Sequence, residues 1–220
     1  MLIQPVVLSD LELDALTELV NLGVSNAASS LRDLVKEEVI LSVPKVAVVT
    51  RDEAIANLGE RDVKRRLVAV HQDFEGDIRG RALLIFPEAK SMELVRAVVG
   101  SELSLEDIME LEQEALAETG NILLNSCLGT IANHLERSLR ISLPEVIRGE
   151  GAEFFGSASI SQMEDQVLFI FINFAVRHRD IRGYIAMLLD LPSLATLKEL
   201  LGTLIERTVS DTLIAPPHVV

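Results

Sequence analysis

Two stretches of this chain repeat one another. Asp14-x-x-x-Glu18-x-x-Asn21 is followed by Pro44, and Glu114-x-x-x-Glu118-x-x-Asn121 is followed at the same separation by Pro144. A third echo sets Asp77-Ile78-Arg79-Gly80 against Asp180-Ile181-Arg182-Gly183. An internal repeat constrains architecture more than any composition can. It predicts one domain over residues 1–220 built from two homologous halves, about 9–100 and 104–206, related by a pseudo-two-fold axis, with a tail over 207–220.

Each half reads the same way. Ser9 or Asp10 can cap a helix that runs to about Leu34, with Leu13, Leu16, Val20, Val24, Ala27 and Leu31 at helical spacing. Residues 38–50 read as a strand with an edge position or bend at Pro44. A short helix follows over 52–58. Residues 66–74 and 77–86 are β-like runs around Glu75-Gly76, which reads as a hairpin. Pro87 opens a short helix over 88–99. In the second half, Ser104 caps a long helix, with Asp107 three residues on, to about Leu139. Strands are expected over 141–147, around Pro144, and over 154–161, 166–174 and 181–189, then a helix over 192–206. Strands that follow one another directly argue α+β, with a largely antiparallel sheet and helices on one face.

Composition removes several function classes. Lys and Arg number 20 against 34 Asp and Glu, a formal charge of −14, which repels a phosphate backbone and disfavours nucleic acid. The longest apolar run, Val167 to Ala175, is far short of the roughly 20 residues of a membrane span and contains Asn173, so no membrane insertion is expected. No charged-then-apolar leader is visible. Cys127 is the single cysteine; it reads as a small buried apolar residue, with no disulfide or thiolate metal site. Cytoplasmic residence follows. His71, His134, His178 and His218 have no ligand spacing and read as surface or satisfied histidines.

On a helix, offsets of four and seven put residues on one stripe. Asp14, Glu18 and Asn21 share such a stripe, as do Glu114, Glu118 and Asn121, with Ser25 and Asn125 extending them. Each spans about 10 Å at the helical rise. An amphipathic helix always has a polar face, so one stripe alone says little. Two matched stripes say more, because asparagine is a mediocre helix former. Gly120, beside Asn121, costs up to about 1 kcal/mol in a helix interior; a small residue there would let another molecule approach. An amide is too weak a base to take a proton, but it can orient a water molecule, and a glutamate can pair with a partner's cation. Phosphoryl transfer is catalysed mainly by such alignment. The repeated Asp–Arg tetrapeptides read as symmetric turn structure whose pairs staple the halves.

At Glu18-Leu-Val-Asn21-Leu-Gly-Val-Ser-Asn26-Ala-Ala and Glu118-Thr-Gly-Asn121-Ile-Leu-Leu-Asn125 the chain resembles the signature helices of the CheC/FliY/CheX family of chemotaxis phosphatases. The family pattern is Asp or Ser, Glu four on, Asn three on, and a following Pro. Asp14, Glu18, Asn21 and Pro44 fit it; in the second copy Glu114 stands in the place of the Asp or Ser, ahead of Glu118, Asn121 and Pro144. The resemblance implies a protein phosphatase acting on the aspartyl phosphate of a CheY-type response regulator. Asn21 or Asn121 would align the water, and Glu18 or Glu118 would dock on the regulator's lysine. Asp14, Glu114, Pro44 and Pro144 would support the helix and strand. The chain would need no cofactor of its own, with Mg²⁺ bound by the regulator. Two signatures and no residues for a further domain after about Glu206 are similar to a stand-alone CheC, which is expected to be monomeric. The rival expectation is a non-catalytic adaptor binding the regulator or CheD, a receptor-modifying deamidase.

Overall fold

The computed structural model describes residues 6–35, 38–59, 66–99, 104–156, 166–176 and 179–214. The elements run α1 (Asp10–Val35), β1 (Val39–Thr50), α2 (Arg51–Gly59), β2 (Leu67–Gly76), β3 (Gly80–Pro87), α3 (Ser91–Val99), α4 (Leu105–His134), β4 (Leu139–Ile141), β5 (Glu145–Gly149), α5 (Gly151–Gly156), β6 (Gln166–Val176), β7 (Arg179–Leu189) and α6 (Leu191–Ile214). A single 3₁₀ turn, Glu88–Lys90, leads into α3. The expected α+β class with an antiparallel sheet holds.

The helix starts follow from local chemistry. Ser9 Oγ accepts from the Glu12 amide at 3.3 Å while Glu12 accepts from the Ser9 amide at 2.7 Å. Ser104 and Asp107 form the same reciprocal box on α4, and Thr50 and Glu53 form it on α2. Each box satisfies two amides that a helix start leaves unpaired. The Thr50 bonds hold the Glu53 carboxyl below its ordinary range.

The seven strands form one sheet in the order β1-β6-β7-β3-β2-β4, with β5 also on β2, and every pairing is antiparallel. The two repeats exchange their first strands. β1 of the first repeat pairs with β6 of the second, and β4 and β5 of the second pair with β2 of the first. At the centre β3 pairs with β7, Leu83 opposite Ala186. The offset that carries Gly80 onto Gly183 carries Leu83 onto Ala186, so a residue faces its own repeat there, as a two-fold axis requires.

Alternation divides the central strands between two cores. Val68, Val70 and Phe74 of β2, Ala82, Leu84 and Phe86 of β3, Ile170 of β6 and Met187 of β7 join α1, α3, α4 and α6 in the larger one. Leu67, Ala69, Leu83, Ile85, Phe169 and Ala186 meet Ala54 of α2 and Phe154 and Phe155 of α5 in the smaller. The expectation of helices on one face holds for α1, α3, α4 and α6; α2 and α5 lie on the other.

Both prolines sit at sheet edges. The β1–β6 register shifts between Ser42 and Lys45, around Pro44. Residues 142–144, with Pro144, separate β4 from β5. A proline cannot donate to the ladder, so β1 shifts register at Pro44 while the second edge divides into β4 and β5 around Pro144.

Several expected boundaries move. Helix α4 ends at His134 rather than near Leu139. Glu136 takes φ 56° and turns the chain, so Leu139–Ile141 pairs with Phe74–Gly76 instead. The strand expected over 154–161 begins as helix α5, Gly151–Gly156, and its remainder lies outside the described residues. The hairpin turn falls at Asp77–Arg79, since β2 runs through Gly76. Helix α6 extends to Ile214, so the first eight residues assigned to the tail, 207–214, are helical; residues 215–220 lie outside the described set.

Candidate functional site

The two polar stripes lie on the outer sides of the two longest helices. α1 buries Leu16, Leu19, Val20, Val24, Ala27 and Leu31, and leaves Asp14 and Glu18 exposed with Asn21 half-buried. α4 does the same: Ala115, Leu116, Leu123 and Leu124 are buried, Glu114 and Glu118 exposed, and Asn121 and Asn125 half-buried. Both amides therefore remain within reach of a docking molecule. Among the described residues, Glu18, Asn21 and Glu118 have no ion-pair or hydrogen-bond partner, so nothing within the fold neutralises or sequesters them.

Close packing brings these helices together. An added Cβ on Gly23 of α1 would lie 2.8 Å from the Cys127 Cα and 3.0 Å from the Ser126 carbonyl oxygen of α4. Beside that crossing, Asn26 Nδ2 donates to Thr130 Oγ1 at 3.4 Å. Gly120 serves a different purpose from the one its position in the stripe suggested. It is buried, and its missing Cβ would fall 2.4 Å from Val70 Cγ1. The small residue lets α4 lie close on its own sheet, rather than admitting a visitor.

That close approach joins the second stripe to β2. Gln72, with 1% of its surface exposed, places Nε2 at 3.2 Å from Asn121 Oδ1, 3.4 Å from Asn125 Oδ1 and 2.8 Å from the Ser142 carbonyl oxygen. Asn125 Nδ2 also donates to Asn121 Oδ1, at 2.7 Å. Sequence reasoning missed Gln72. The available signal was a polar residue at a helix-facing position between Val70 and Phe74. Of the supporting residues, Pro144 is half-buried in the break after Ser142, and Asp14 and Glu114 stand in solvent.

The other singled-out residues have structural roles. Cys127 is wholly buried, and burial pushes its thiol up to about 12, so it is no nucleophile. Asp77 pairs with Arg137 at 3.1 Å, and Arg79 pairs with Asp190, which caps α6 through the Ser193 amide. The staples between repeats thus exist, with partners the repeat itself did not suggest; the side chains of Asp180 and Arg182 lie outside the described set. His134 is exposed; His178 and His218 lie outside the described residues.

His71 is buried, not on the surface. Its Nε2 lies 3.4 Å from Glu145 and its Nδ1 has no partner. Burial, then Arg81, lowers its affinity for a proton below the ordinary 6.5, against the opposing pull of Glu145 and Asp73. The unfolded chain takes up that proton near 6.5, while the native state resists it. Stability present above that pH is therefore lost as pH falls through 6.5 toward the lowered native value. Thermal melts across this window should show the midpoint dropping, and His71→Leu should flatten the slope there. Asp73, held low by its Arg81 hydrogen bonds, adds a separate loss below its ordinary 3.8.

Two family models match parts of the chain that include the stripes. A model of the CheC-like family matches residues 11–48, covering the first stripe and most of β1. A model described as chemotaxis phosphatase CheX matches residues 68–163, covering the second stripe and Pro144. The CheY-P phosphatase CheC of Bacillus subtilis is 30% identical over 138 residues, which is 61% of this chain. The chain is similar to the CheC/FliY/CheX family over both stripes. It spans 65% of the length of that Bacillus protein. A CheC1 protein of Halobacterium salinarum is 25% identical over 72% of this chain and 80% of its own length. Crystallised FliY of Thermotoga maritima superposes with a TM-score of 0.72, over 90% of this chain and 99% of that one, at 17% identity. The FliM middle domain from H. pylori gives 0.55 over 87% and 99%, at 15% identity. These two likenesses establish a fold shared with FliY and the FliM middle domain.

Among the described residues, no group of three or more His, Cys, Asp or Glu is placed to hold a metal, and no helix is long and apolar enough to cross a membrane.

Proposed function

We propose that this chain accelerates hydrolysis of the aspartyl phosphate on a CheY-type response regulator. The observation that carries this reading is the exposed Glu beside a reachable Asn on both α1 and α4, in a chain similar to the CheC/FliY/CheX family. The name of the Bacillus relative, CheY-P phosphatase, supports this substrate class, and the CheX model's description supports a phosphatase.

In this reading the stripe docks over the phosphorylated aspartate. The carboxamide of Asn21 or Asn121 orients a water molecule in line with the phosphorus. The water oxygen bonds to phosphorus, the bond from phosphorus to the aspartate oxygen breaks, and its electron pair stays on the carboxylate. Both protons of the water leave with the phosphate, as H₂PO₄⁻. Glu18 or Glu118 pairs with the regulator's lysine and fixes the register. The Mg²⁺ that screens the phosphoryl oxygens belongs to the regulator.

Phosphate release from a phosphorylated CheY-type regulator with Mg²⁺, with and without this chain, tests the proposal directly; an unchanged rate would sink it. Roles separate by binding. Glu18→Ala with Glu118→Ala should weaken regulator affinity by roughly 1–2 kcal/mol, the scale of a charge-assisted contact. The matching Asn→Ala pair should change affinity less, because its contacts form in the transition state. Calorimetric titration reads both, and a larger loss from the asparagines would reverse the assignment.

The fold shared with the FliM middle domain leaves open a second reading, an adaptor that binds the regulator or a CheD deamidase without hydrolysis. Binding at unchanged phosphate release would select it.

A further inference from the structure

The two stripes match in sequence, but their surroundings differ. Position 72 of β2 pairs with Ala82, and position 170 of β6 pairs with Ile185. The register that superposes Gly80 on Gly183 makes Gln72 and Ile170 counterparts. Ile170 is fully buried and carries no polar atom in its side chain. An apolar residue therefore suits this position in the fold, and Gln72 is not needed for packing. It also carries a penalty, since its Oε1 is buried without a hydrogen-bond partner.

The hydrogen bonds fix the orientation of every amide in the cluster. The Ser142 carbonyl can only accept, so the Gln72 atom 2.8 Å from it is nitrogen. The Asn121 atom facing that nitrogen is then oxygen, and Asn125 Nδ2 donates to it as well. The Gln72 NH₂ has two protons for three acceptors, so one proton stays on Ser142 and the other is shared between Asn121 and Asn125. Asn121 is thus clamped by its oxygen, and its Nδ2 is the end with no partner among the described residues. Asn21 has no such clamp.

We propose that Gln72 is a positioning residue for the second site: with Asn125 it locks the Asn121 carboxamide oxygen-inward, presenting Nδ2 as a fixed donor to the docked phosphoryl group and its water. The inference rests on the phosphatase reading above. The second site is pre-organised, and the first must order Asn21 at each encounter. A fixed donor needs no reorganisation in the transition state, so the gain appears in kcat.

The test confines turnover to the second site with Asn21→Ala. Adding Gln72→Met, which keeps length but cannot donate, should lower kcat roughly tenfold and leave KM unchanged. Asn125→Ala, on the helix surface, should lower kcat in the same direction and covers the case in which Gln72→Met does not fold. In an Asn121→Ala background the loss from Gln72→Met should disappear. Side-chain amide ¹⁵N relaxation supplies a readout apart from activity: the Asn121 NH₂ should be ordered in the parent and mobile in Gln72→Met. An unchanged or raised kcat, an equal loss in both backgrounds, or an Asn121 amide that stays ordered would overturn the proposal. Failure of the phosphatase reading itself looks different, because the Asn21→Ala, Asn121→Ala double variant would then match the parent.

Discussion

Asn21→Ala combined with Asn121→Ala should erase the acceleration of regulator dephosphorylation and leave the fold intact. Both side chains are half-buried surface residues of long helices, and alanine is the better helix former by a few tenths of a kcal/mol per site. No stability should be lost at Asn21, which holds nothing. At Asn121 the change frees Gln72 Nε2, which keeps the Ser142 carbonyl as its acceptor. The rate is another matter. An amide that aligns a nucleophile contributes only through position, and orientation effects reach several kcal/mol of a barrier. Losing both amides should return phosphate release to the regulator's own rate, a fall of at least about tenfold to a hundredfold from the assisted one. Each single variant should retain what the other site supplies. Circular dichroism and a melt confirm folding, and stopped-flow loss of phosphoregulator reads the rate. A double variant as active as the parent would remove the amides from the mechanism.

Gly23→Ala should destabilise the protein, although alanine is the better helix former. In isolation alanine gains about 1 kcal/mol over glycine in a helix. Here the new methyl would meet backbone atoms of α4 at 2.8 and 3.0 Å, which no rotamer change relieves. The two longest helices would have to separate, and overpacking of this kind costs about 1–3 kcal/mol. The steric cost should win. Gly129, also on α4, has nothing within 4 Å of an added Cβ, so Gly129→Ala should keep the propensity gain of about 0.5–1 kcal/mol. Denaturant unfolding of both variants decides the matter: opposite signs are expected. Equal stabilisation would mean that the α1–α4 crossing yields without cost.

Much of the molecule could be read from residue types and spacing. Helical periodicity, the serine caps and the proline-marked edges depend on neighbours a few positions apart. The stripes are legible for the same reason, since Glu18 and Asn21 lie on one turn. What escaped depends on distant partners or on missing punctuation. No glycine or proline marks the end of α4, because Glu136 makes the left-handed turn itself. Helix α5 is six residues long, too short to show a helical period, and Phe154-Phe155 reads as strand. Gln72 looked like one polar residue in an apolar run; its meaning comes from Asn121, Asn125 and Ser142, 49, 53 and 70 residues away. Strand exchange between repeats is invisible to any local rule, because each edge strand has the same pattern whichever hairpin it joins.

That exchange has a consequence for how the two sites endure stress. The second site is assembled within one unbroken stretch, from β2 through β5, where Gln72, Asn121 and Ser142 meet. The first has no such continuity: α1 and β1 come from the chain's beginning, and the hairpin and helix that support them, β6, β7 and α6, from its far end. Loosening of α1 and β1, or of β6, β7 and α6, would free Asn21 while leaving Asn121 seated. Under heat or mild denaturant, this protein should pass through a one-sited form before it loses its shape.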